Sequence, residues 1–472
     1  MHYRVTEKRN VKQYEAIYGP VRSPKPDCTG RPHLLSDATM AERKQNILRR
    51  MDEEGFDVLA VYCDVEHSGN FEYLTGFFTR FEEGMLVLRR DGETVLLLGN
   101  ENLNKADKAR IPCRAVHVPY FSLPNQPMEN TGDFLHTIQN CGIRNGDRVG
   151  IAGWKLFTSR HDDNTDLFEV PYFIVHAIRK LAGENGTVRN ATAVFIGENG
   201  VRTVNNADEL AHYEYGASLA SDAVLNAMDL LEEGITETEL GNALVRDGQH
   251  CSVVTIAASG ERFVKANMYP TDNRVKRGDP VSLTVGYKGG LSSRTGYAVS
   301  KEEELPAELQ NYIPRVVIPY YRAYAMWLSE IRIGMTGGEL FEKMDVILPR
   351  KEYHWSLCPG HLTADEEWLS SPVYEGSKEV LRSGMLFQID ILPSVKGYGG
   401  TNAESTAALA DEALRERIRE EEPELWERIT RRRVYIREEL HIDLSEDVLP
   451  MCSGVGYLRP FLLEKTKAMR LK

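Results

Sequence analysis

Three ionisable residues in the C-terminal half of this 472-residue chain stand where their side chains could do chemistry. His361 directly follows Pro359-Gly360, a turn that can hold an imidazole at the end of a strand, and a surface or capping histidine is the alternative. Asp390 interrupts the apolar stretch "GMLFQIDILP", where an ionised carboxylate is costly unless it is paired or binds a metal. Glu404 precedes the small-residue stretch "STAAL". If these two stretches are neighbouring strands, the imidazole and both carboxylates meet in one pocket, which suits a divalent cation or general acid–base catalysis.

A β-hairpin is predicted over residues 278–299, "GDPVSLTVGYKGGLSSRTGYAV", with its turn at Gly289-Gly290. Its interior, residues 280–293, contains no Asp, Glu, His or Cys. Arg294 on the return strand could bind a substrate carboxylate through two hydrogen bonds, and a structural arginine bonded to backbone carbonyls is the alternative. Cys358 could be a thiol nucleophile, but an inert buried cysteine is the more common case.

The elements that must position these residues are helices alternating with antiparallel hairpins. Apolar residues recur at steps of three and four over residues 210–231, which predicts a long amphipathic helix. Strands are predicted at 253–258, 278–299, 385–392 and 406–409, and this pattern favours an α+β fold over a doubly wound sheet. Three pairs have the spacing of a helix capping box: Asn206 with Glu209, Thr236 with Glu239, and Thr336 with Glu339.

The N-terminal half is predicted to be a smaller α/β domain. A helix over 36–55 precedes a buried strand, and Asp91-Gly92 marks the turn of a hairpin. Further strands are predicted at 114–118, 148–152 and 193–196, with a helix at 171–183 between the last two. We therefore expect an N-terminal arm at 1–36 that packs on a neighbouring domain or subunit, an α/β domain at 37–204 and an α+β domain at 205–472.

Composition narrows the partners and the compartment. The 57 basic and 70 acidic residues give a formal net charge of −13, which argues against nucleic acid or an anionic membrane as the main partner. Seven scattered cysteines without a metal-site spacing are typical of reduced thiols. We find no signal-peptide pattern and no apolar stretch near the roughly 20 residues that a spanning helix needs, so we expect a cytoplasmic protein.

Several short motifs together resemble the creatinase/aminopeptidase P/prolidase group, the peptidase M24-like proteins with the pita-bread fold. They are "NFEYLTGF", "ADELAHYEYGASLASDAV", "ASG", "RGDPVSL", "SSRTG", "PGH", "SGMLFQID" and "NAEST", and they occur in the order that the group shows. The resemblance implies a pita-bread C-terminal catalytic domain behind a smaller α/β N-terminal domain. It also implies a homodimer in which the N-terminal domain of one subunit completes the site of the other.

The resemblance carries over only part of the group's metal site. Metal-dependent members use two Asp, one His and two Glu, and His361, Asp390 and Glu404 stand at the last three positions. Thr284 and Leu291, or a serine beside Leu291, stand where the two Asp belong. A further active-site His expected after "ASG" is missing, and the second "HE" motif appears as "DEEWLSSP".

This departure makes a metal-independent, creatinase-like hydrolase the first hypothesis. His361 would move a proton between water and the leaving nitrogen of an amide, amidine or guanidino group, while Asp390 and Glu404 would bind the cationic group of a small nitrogenous metabolite. We expect no cofactor. The residues expected to contact substrate are Arg80 from the partner subunit, Asn267 as the nearest substitute for the missing His, Thr284, Tyr287 and Arg294.

Two alternatives remain open from the sequence. One is a metal-dependent Xaa-Pro dipeptidase or aminopeptidase in which a single Mn, Zn or Fe ion binds His361, Asp390 and Glu404, since one imidazole and two carboxylates are a competent donor set. The other is a catalytically inactive pita-bread protein that binds peptides.

Overall fold

The computed structural model describes residues 14–128, 132–265 and 269–472, which form two compact units. One unit is Leu35–Thr203. The other is Val204–Lys472 together with the described part of the segment before Leu35, which contains strand β1 (Ala16–Pro20). The predicted α+β class, with a smaller α/β N-terminal domain, is confirmed.

The Leu35–Thr203 unit is a mixed sheet flanked by helices. In chain order it comprises α1 (Asp37–Glu54), β2 (Val58–Cys63), α2 (Gly69–Thr75), β3 (Gly84–Arg89), β4 (Thr94–Leu98), β5 (Arg114–His117), α3 (Phe134–Ile138), β6 (Arg148–Ala152), α4 (Tyr172–Ala182) and β7 (Thr187–Asn190). Its described strands form a six-stranded sheet in the order β5-β4-β3-β2-β6-β7.

Local sequence explains several boundaries of this unit. Helix α1 begins where the Ser36 side chain accepts a hydrogen bond from the Thr39 amide, and it ends at Gly55 with φ of 76°. The β3–β4 hairpin turns at Asp91-Gly92 as predicted. The strand predicted at 193–196 is wrong, because Thr192–Val194 is a 3-10 turn and the strand lies one segment earlier, at β7. A short apolar run does not distinguish a strand from a buried turn by periodicity.

The larger unit carries the residues singled out in the C-terminal half. Its further elements are α5 (Ala207–Leu230), α6 (Glu237–Leu244), β8 (Ile256–Ser259), α7 (Gly260–Val264), β9 (Pro280–Tyr287), β10 (Gly290–Tyr297), α8 (Ile318–Glu330), α9 (Gly337–Ile347), α10 (Arg350–Tyr353), β11 (His361–Leu362), β12 (Leu386–Gln388), β13 (Asn402–Glu404), β14 (Thr406–Leu409), α11 (Glu412–Glu421), α12 (Pro423–Glu438), β15 (Val448–Pro450) and β16 (Lys467–Leu471). All three predicted capping boxes are confirmed, at the starts of α5, α6 and α9.

Two curved sheets of this unit meet at one point of the chain. The described strands form one sheet in the order β13-β10-β9-β8 and another in the order β11-β12-β14-β15, while β1 pairs with β16. Strand β13 ends at Glu404 and β14 begins at Thr406, so the chain changes sheet at Ser405. Side chains at the ends of both sheets are thereby brought together.

The predicted strand at 385–392 is longer than the observed one. Strand β12 ends at Gln388, which pairs with Thr406, and it is joined to β14 rather than to β13. Asp390 therefore lies two residues beyond the end of β12. The strand ends there because the segment that pairs with it, β14, begins only after Ser405. The Ile389 amide still donates to the Ser405 carbonyl at 2.9 Å, which holds the Asp390 backbone beside the junction.

Helix α5 packs tightly on the β9–β10 hairpin. Gly289 has φ of 96°, and a Cβ there would lie 2.2 Å from the Tyr213 carbonyl oxygen. A Cβ at Gly216 would lie 1.9 Å from the Lys288 carbonyl oxygen, so both positions require glycine. The hairpin turn is at Lys288-Gly289, one residue before the prediction. Among the described residues, no helix combines the length and apolar character needed to cross a bilayer.

Candidate active site

A cavity of about 630 Å³ opens in the larger unit beside the junction of the two sheets. Its floor is one face of β9, β10 and β13, because alternate side chains of a strand point to the same side. The neutral polar residues of this floor are Ser282, Thr284, Ser293, Thr295 and Asn402, and its acidic residue is Glu404. The apolar residues that line the cavity include Val253, Val254, Ile256, Phe263, Val264, Leu291, Leu392 and Pro393.

The neutral polar residues of the floor are hydrogen-bonded to one another. The hydroxyls of Thr284 and Ser293 share a hydrogen bond of 2.6 Å, and the Asn402 amide donates to the Ser293 hydroxyl at 3.0 Å. The Thr295 hydroxyl lies 3.2 Å from that of Ser282. Thr284 thus lines the cavity as expected for a substrate contact, with a neutral hydroxyl that is already paired.

His361 is fixed by the turn that precedes it. Gly360 has φ of 120°, and its carbonyl oxygen accepts a hydrogen bond from Ser371 at 2.8 Å. The fully buried imidazole stacks on Trp368, with ring centroids 4.1 Å apart. Its Nδ1 lies 3.1 Å from the Leu362 carbonyl oxygen, so that nitrogen can donate to the backbone while Nε2 faces the acidic side chains.

Two carboxylates lie beside this Nε2, and a third is near the same imidazole. It lies 2.9 Å from Oε1 of Glu367 and 3.9 Å from Oδ2 of Asp390. One ligand atom from each of His361, Asp390 and Glu404 lies within 4.8 Å of the other two, and all three residues are buried. Among the described residues, Oδ1 of Asp390 has no hydrogen-bond partner. The structure therefore brings together the three residues that the sequence singled out and adds Glu367.

The protonation equilibria of this cluster reflect burial and mutual repulsion. Burial raises the pKa of Asp390 to about 6 against the opposing effect of the His361 charge. Burial and the nearby charges of Asp390 and Glu367 raise the pKa of Glu404 well above its ordinary value. Burial alone would lower the pKa of His361, but the close contact with Glu367 and the charges of Glu367 and Asp390 raise it overall. The cluster holds more negative charge than its own groups can neutralise.

These observations fit one divalent cation rather than two. An imidazole and two carboxylates with an unpartnered, buried carboxylate oxygen form a donor set for a metal. At the two hairpin positions where the resemblance implies Asp, the chain has the paired hydroxyl of Thr284 and the apolar side chain of Leu291, whereas hard cations prefer carboxylate oxygen ligands. The donor set thus favours the alternative of one cation over the expectation of none.

The expected substrate contact of Arg294 is wrong. Its side chain lies on the face of β10 opposite the floor. Its guanidinium donates hydrogen bonds to the Ser405 hydroxyl and to the carbonyl oxygens of Ser293, Glu404, Gly454 and Tyr457. Arg294 is therefore structural, and it fixes the backbone at Glu404.

Tyr287 is also misplaced by the prediction. Its hydroxyl donates to the Leu244 carbonyl oxygen at 2.8 Å and accepts from the Arg246 amide at 2.8 Å, away from the residues that line the cavity. Asn267 lies outside the described residues. Arg80 belongs to the Leu35–Thr203 unit, where it donates to the Val65 carbonyl oxygen at 2.9 Å, and its role in a partner's site stays a prediction.

Two residues at the site were missed by the sequence interpretation. Gln388 accepts from the Leu291 amide at 3.2 Å and donates to the Leu291 carbonyl oxygen at 2.6 Å, which ties the hairpin to the second sheet. Glu367 is the other. The signal for both was their place inside motifs already recognised, "SGMLFQID" and "DEEWLSSP".

Comparison with known proteins agrees with this architecture. Residues 211–407 match the family described as Metallopeptidase family M24. A Xaa-Pro dipeptidase of Pyrococcus furiosus is 26% identical over 48% of this chain and 65% of that protein, and an uncharacterised peptidase of Bacillus subtilis, YqhT, is 25% identical over 46% and 62%. The chain thus spans less than two thirds of the length of these curated relatives.

Solved structures support the same fold. A Xaa-Pro dipeptidase from Bacillus anthracis superposes with a TM-score of 0.59 at 17% identity, over 79% of this chain and 96% of that one. A prolidase from Thermococcus sibiricus gives 0.62 at 17% identity, over 79% and 95%. The fold and site define a pita-bread protein. The match of residues 211–407 to metallopeptidase family M24 confirms the resemblance to the creatinase/aminopeptidase P/prolidase group.

Proposed function

We propose that the cavity is the active site of an M24-type hydrolase that cleaves a C–N bond in a short peptide, with Xaa-Pro peptides as its first candidate substrates. The observation that carries the proposal is the set of donor atoms at His361, Asp390 and Glu404 beside a cavity of about 630 Å³, with an oxygen on Asp390 that has no hydrogen-bond partner in the described part of the chain. The Xaa-Pro dipeptidase relative supports the choice of substrate.

The residues that would hold a single divalent cation are His361, Asp390 and Glu404. A divalent cation at such a site polarises a carbonyl oxygen as a Lewis acid. The other parts of the cavity would bind the peptide: the hydroxyls and amide of the floor can hydrogen-bond its backbone, and the apolar walls can contact a proline ring. The carboxylates not neutralised by the cation would favour a cationic amino terminus.

The test is a substrate panel with controlled metal content. The purified protein, loaded separately with Mn²⁺, Zn²⁺ or Fe²⁺, is assayed on Xaa-Pro dipeptides, Xaa-Pro tripeptides and matched Xaa-Ala peptides. Cleavage that needs metal and is abolished by Glu404→Ala supports the proposal. Turnover that survives complete removal of metal would contradict it.

The second candidate is a metal-independent C–N hydrolase of a small charged metabolite. It is favoured by the neutral Thr284 and apolar Leu291 on the hairpin and by the 2.9 Å contact of His361 with Glu367, which could move a proton. Chelator-resistant hydrolysis of an amidine or guanidino compound would establish it. A protein that binds peptides but turns over nothing in either panel would be the inactive peptide-binding form.

We also propose that the protein is a cytoplasmic homodimer in which Arg80 reaches the cavity of the partner subunit. The proposal rests on the acidic character of the cavity, which suits a guanidinium. Sedimentation of the full chain together with kinetics of Arg80→Ala tests it, and a monomer with full activity would contradict it.

A further inference from the structure

Glu367 has no counterpart in the metal site implied by the family resemblance, yet it reaches the same cavity as Glu404. The loop that carries it is closed by backbone hydrogen bonds. The Leu362 amide donates to the Ser370 carbonyl oxygen at 2.7 Å, and the Leu369 amide donates to the Leu362 carbonyl oxygen at 2.9 Å. The loop therefore folds back over the strand that holds His361.

Two side chains of this loop contact the imidazole of His361. Trp368 stacks on the His361 ring at 4.1 Å, and Oε1 of Glu367 lies 2.9 Å from Nε2. Only 18% of the Glu367 side chain is exposed. Two ligand atoms that each lie about 2.1 Å from one ion at a right angle are about 3 Å apart. The observed separation is thus that of two neighbouring ligands.

The charge balance gives a reason for a cation at this place. Glu367 contacts the imidazole that shares its site with Asp390 and Glu404, and no Lys or Arg is among the described residues that line the cavity. Arg294 points to the opposite face of its strand. Buried carboxylates are normally paired or bound to metal.

The geometry points to Glu367 as a fourth ligand of the single cation held by His361, Asp390 and Glu404. It would supply from the loop side the acidic ligand that the hairpin lacks at Thr284 and Leu291. This inference rests on the single-cation site of the proposed function, and it adds a ligand that the metal site implied by the resemblance does not include.

Metal titration of the purified 472-residue chain tests the inference independently of activity. Binding of Mn²⁺ is measured by calorimetry and by the free-Mn²⁺ electron paramagnetic resonance signal, for the wild type, Glu367→Gln, Asp390→Asn and the control Glu366→Gln from the same loop. We expect Glu367→Gln to weaken binding by at least about 10- to 100-fold, and Glu366→Gln to stay within about twofold of the wild type.

The visible spectrum of bound Co²⁺ gives a second readout, because its intensity and position depend on the number and type of ligands. We expect Glu367→Gln to change this spectrum and Glu366→Gln to preserve it. Circular dichroism of each metal-free variant verifies that it folds. Adding Thr284→Asp to Glu367→Gln should recover part of the lost affinity, since it returns an acid from the hairpin side.

The outcomes separate the two proposals. If Asp390→Asn loses Mn²⁺ while Glu367→Gln binds it with wild-type affinity and an unchanged Co²⁺ spectrum, then Glu367 is not a ligand and the single-cation site stands. If the wild type binds neither ion, then the single-cation site and the role of Glu367 fail together. A loss confined to Glu367→Gln and Asp390→Asn supports both.

Discussion

Two buried clusters of charge in the larger unit differ in how their carboxylates are balanced. In the first, Glu214 on α5 bonds to Arg428 at 2.8 Å and to Arg432 at 2.6 Å, and Arg432 also bonds to Asp27 at 2.7 Å. In the second, Glu367, Asp390 and Glu404 face one imidazole and, among the described lining residues, no guanidinium. The carboxylates of both clusters are largely buried, but only those of the first cluster are paired with arginines.

The pKa shifts follow the partners. Burial opposes the ionised form of Glu214, yet its two arginines keep the pKa of this carboxyl below the ordinary value. Burial without such salt-bridge partners raises the pKa of Asp390 to about 6 and also raises that of Glu404. A buried acid that is fully paired stabilises the fold, whereas a group of buried acids left short of positive charge beside a cavity marks a binding site.

Breaking the balanced cluster should have the largest effect on stability. Arg432→Leu leaves Glu214 and Asp27 without their shared guanidinium inside the protein, so we expect the free energy of unfolding in urea to fall by about 3–5 kcal/mol. The control is Arg431→Leu on the same helix, whose exposed pair with Glu427 contributes less than about 1 kcal/mol. Equal losses in the two variants would contradict the structural role of the cluster.

Neutralising the unbalanced cluster should have the opposite effect. Asp390→Asn removes a buried, unpartnered carboxylate oxygen, so we expect the metal-free protein to be at least as stable as the wild type in the same urea titration. Affinity for Mn²⁺ and peptidase activity should fall by more than the roughly 100-fold typical of supporting residues. A large loss of stability without loss of affinity would place Asp390 among the structural residues.

Asp222 on α5 is a buried acid outside the cavity that forms no salt bridge among the described residues. It accepts hydrogen bonds from the Cys28 amide at 2.8 Å and the Ser453 hydroxyl at 3.2 Å, and burial raises its pKa to about 6. Because the unfolded pKa is near 3.8, its ionisation opposes folding fully above about pH 6 and not at all below about pH 4.

The stability of Asp222→Asn, measured as a function of pH, tests whether the ionisation of Asp222 opposes folding. We expect the variant to gain stability over the wild type at pH 7 and to lose that advantage as the pH falls from about 6 to 4, measured by urea unfolding at each pH. Glu214 has the opposite sign: its stabilisation is complete above about pH 4.5 and is lost below it, because its folded pKa is lowered. If the unfolding free energies of Asp222→Asn and the wild type differ by the same amount at every pH, then hydrogen bonding rather than the charge of Asp222 determines the difference in stability.

Sequence reasoning reached the helix starts and the fold because those depend on local patterns. The capping box of Asn206 and Glu209, for example, places the start of α5 from four residues alone. Family resemblance then placed His361, Asp390 and Glu404 in one site, and the structure brings their ligand atoms within 4.8 Å. Both signals, the capping-box spacing and the family motifs, come from short runs of neighbouring residues.

The sequence interpretation failed for residues whose place in the site depends on side-chain direction or on the closure of a loop. Strand alternation places Arg294 on the face opposite Ser293 and Thr295, so this error was avoidable once the floor of the hairpin was known. Glu367 could not be placed in this way, because its position depends on the hydrogen bonds that close residues 362–370 over His361. Such a loop has no periodicity from which its direction can be predicted.

The smallest expected effect concerns the neutral floor of the cavity. Thr284→Val keeps the shape of the side chain and removes the 2.6 Å hydrogen bond to Ser293, so we expect a loss of about 1 kcal/mol in unfolding free energy. Mn²⁺ affinity should remain within about twofold of the wild type, because the cation is assigned to His361, Asp390, Glu404 and Glu367 rather than to the hairpin. Ser293→Ala, which breaks the same bond from the other strand, is the control. A tenfold loss of Mn²⁺ affinity in Thr284→Val alone would make the Thr284 hydroxyl a ligand, and the hairpin would then retain part of the metal site.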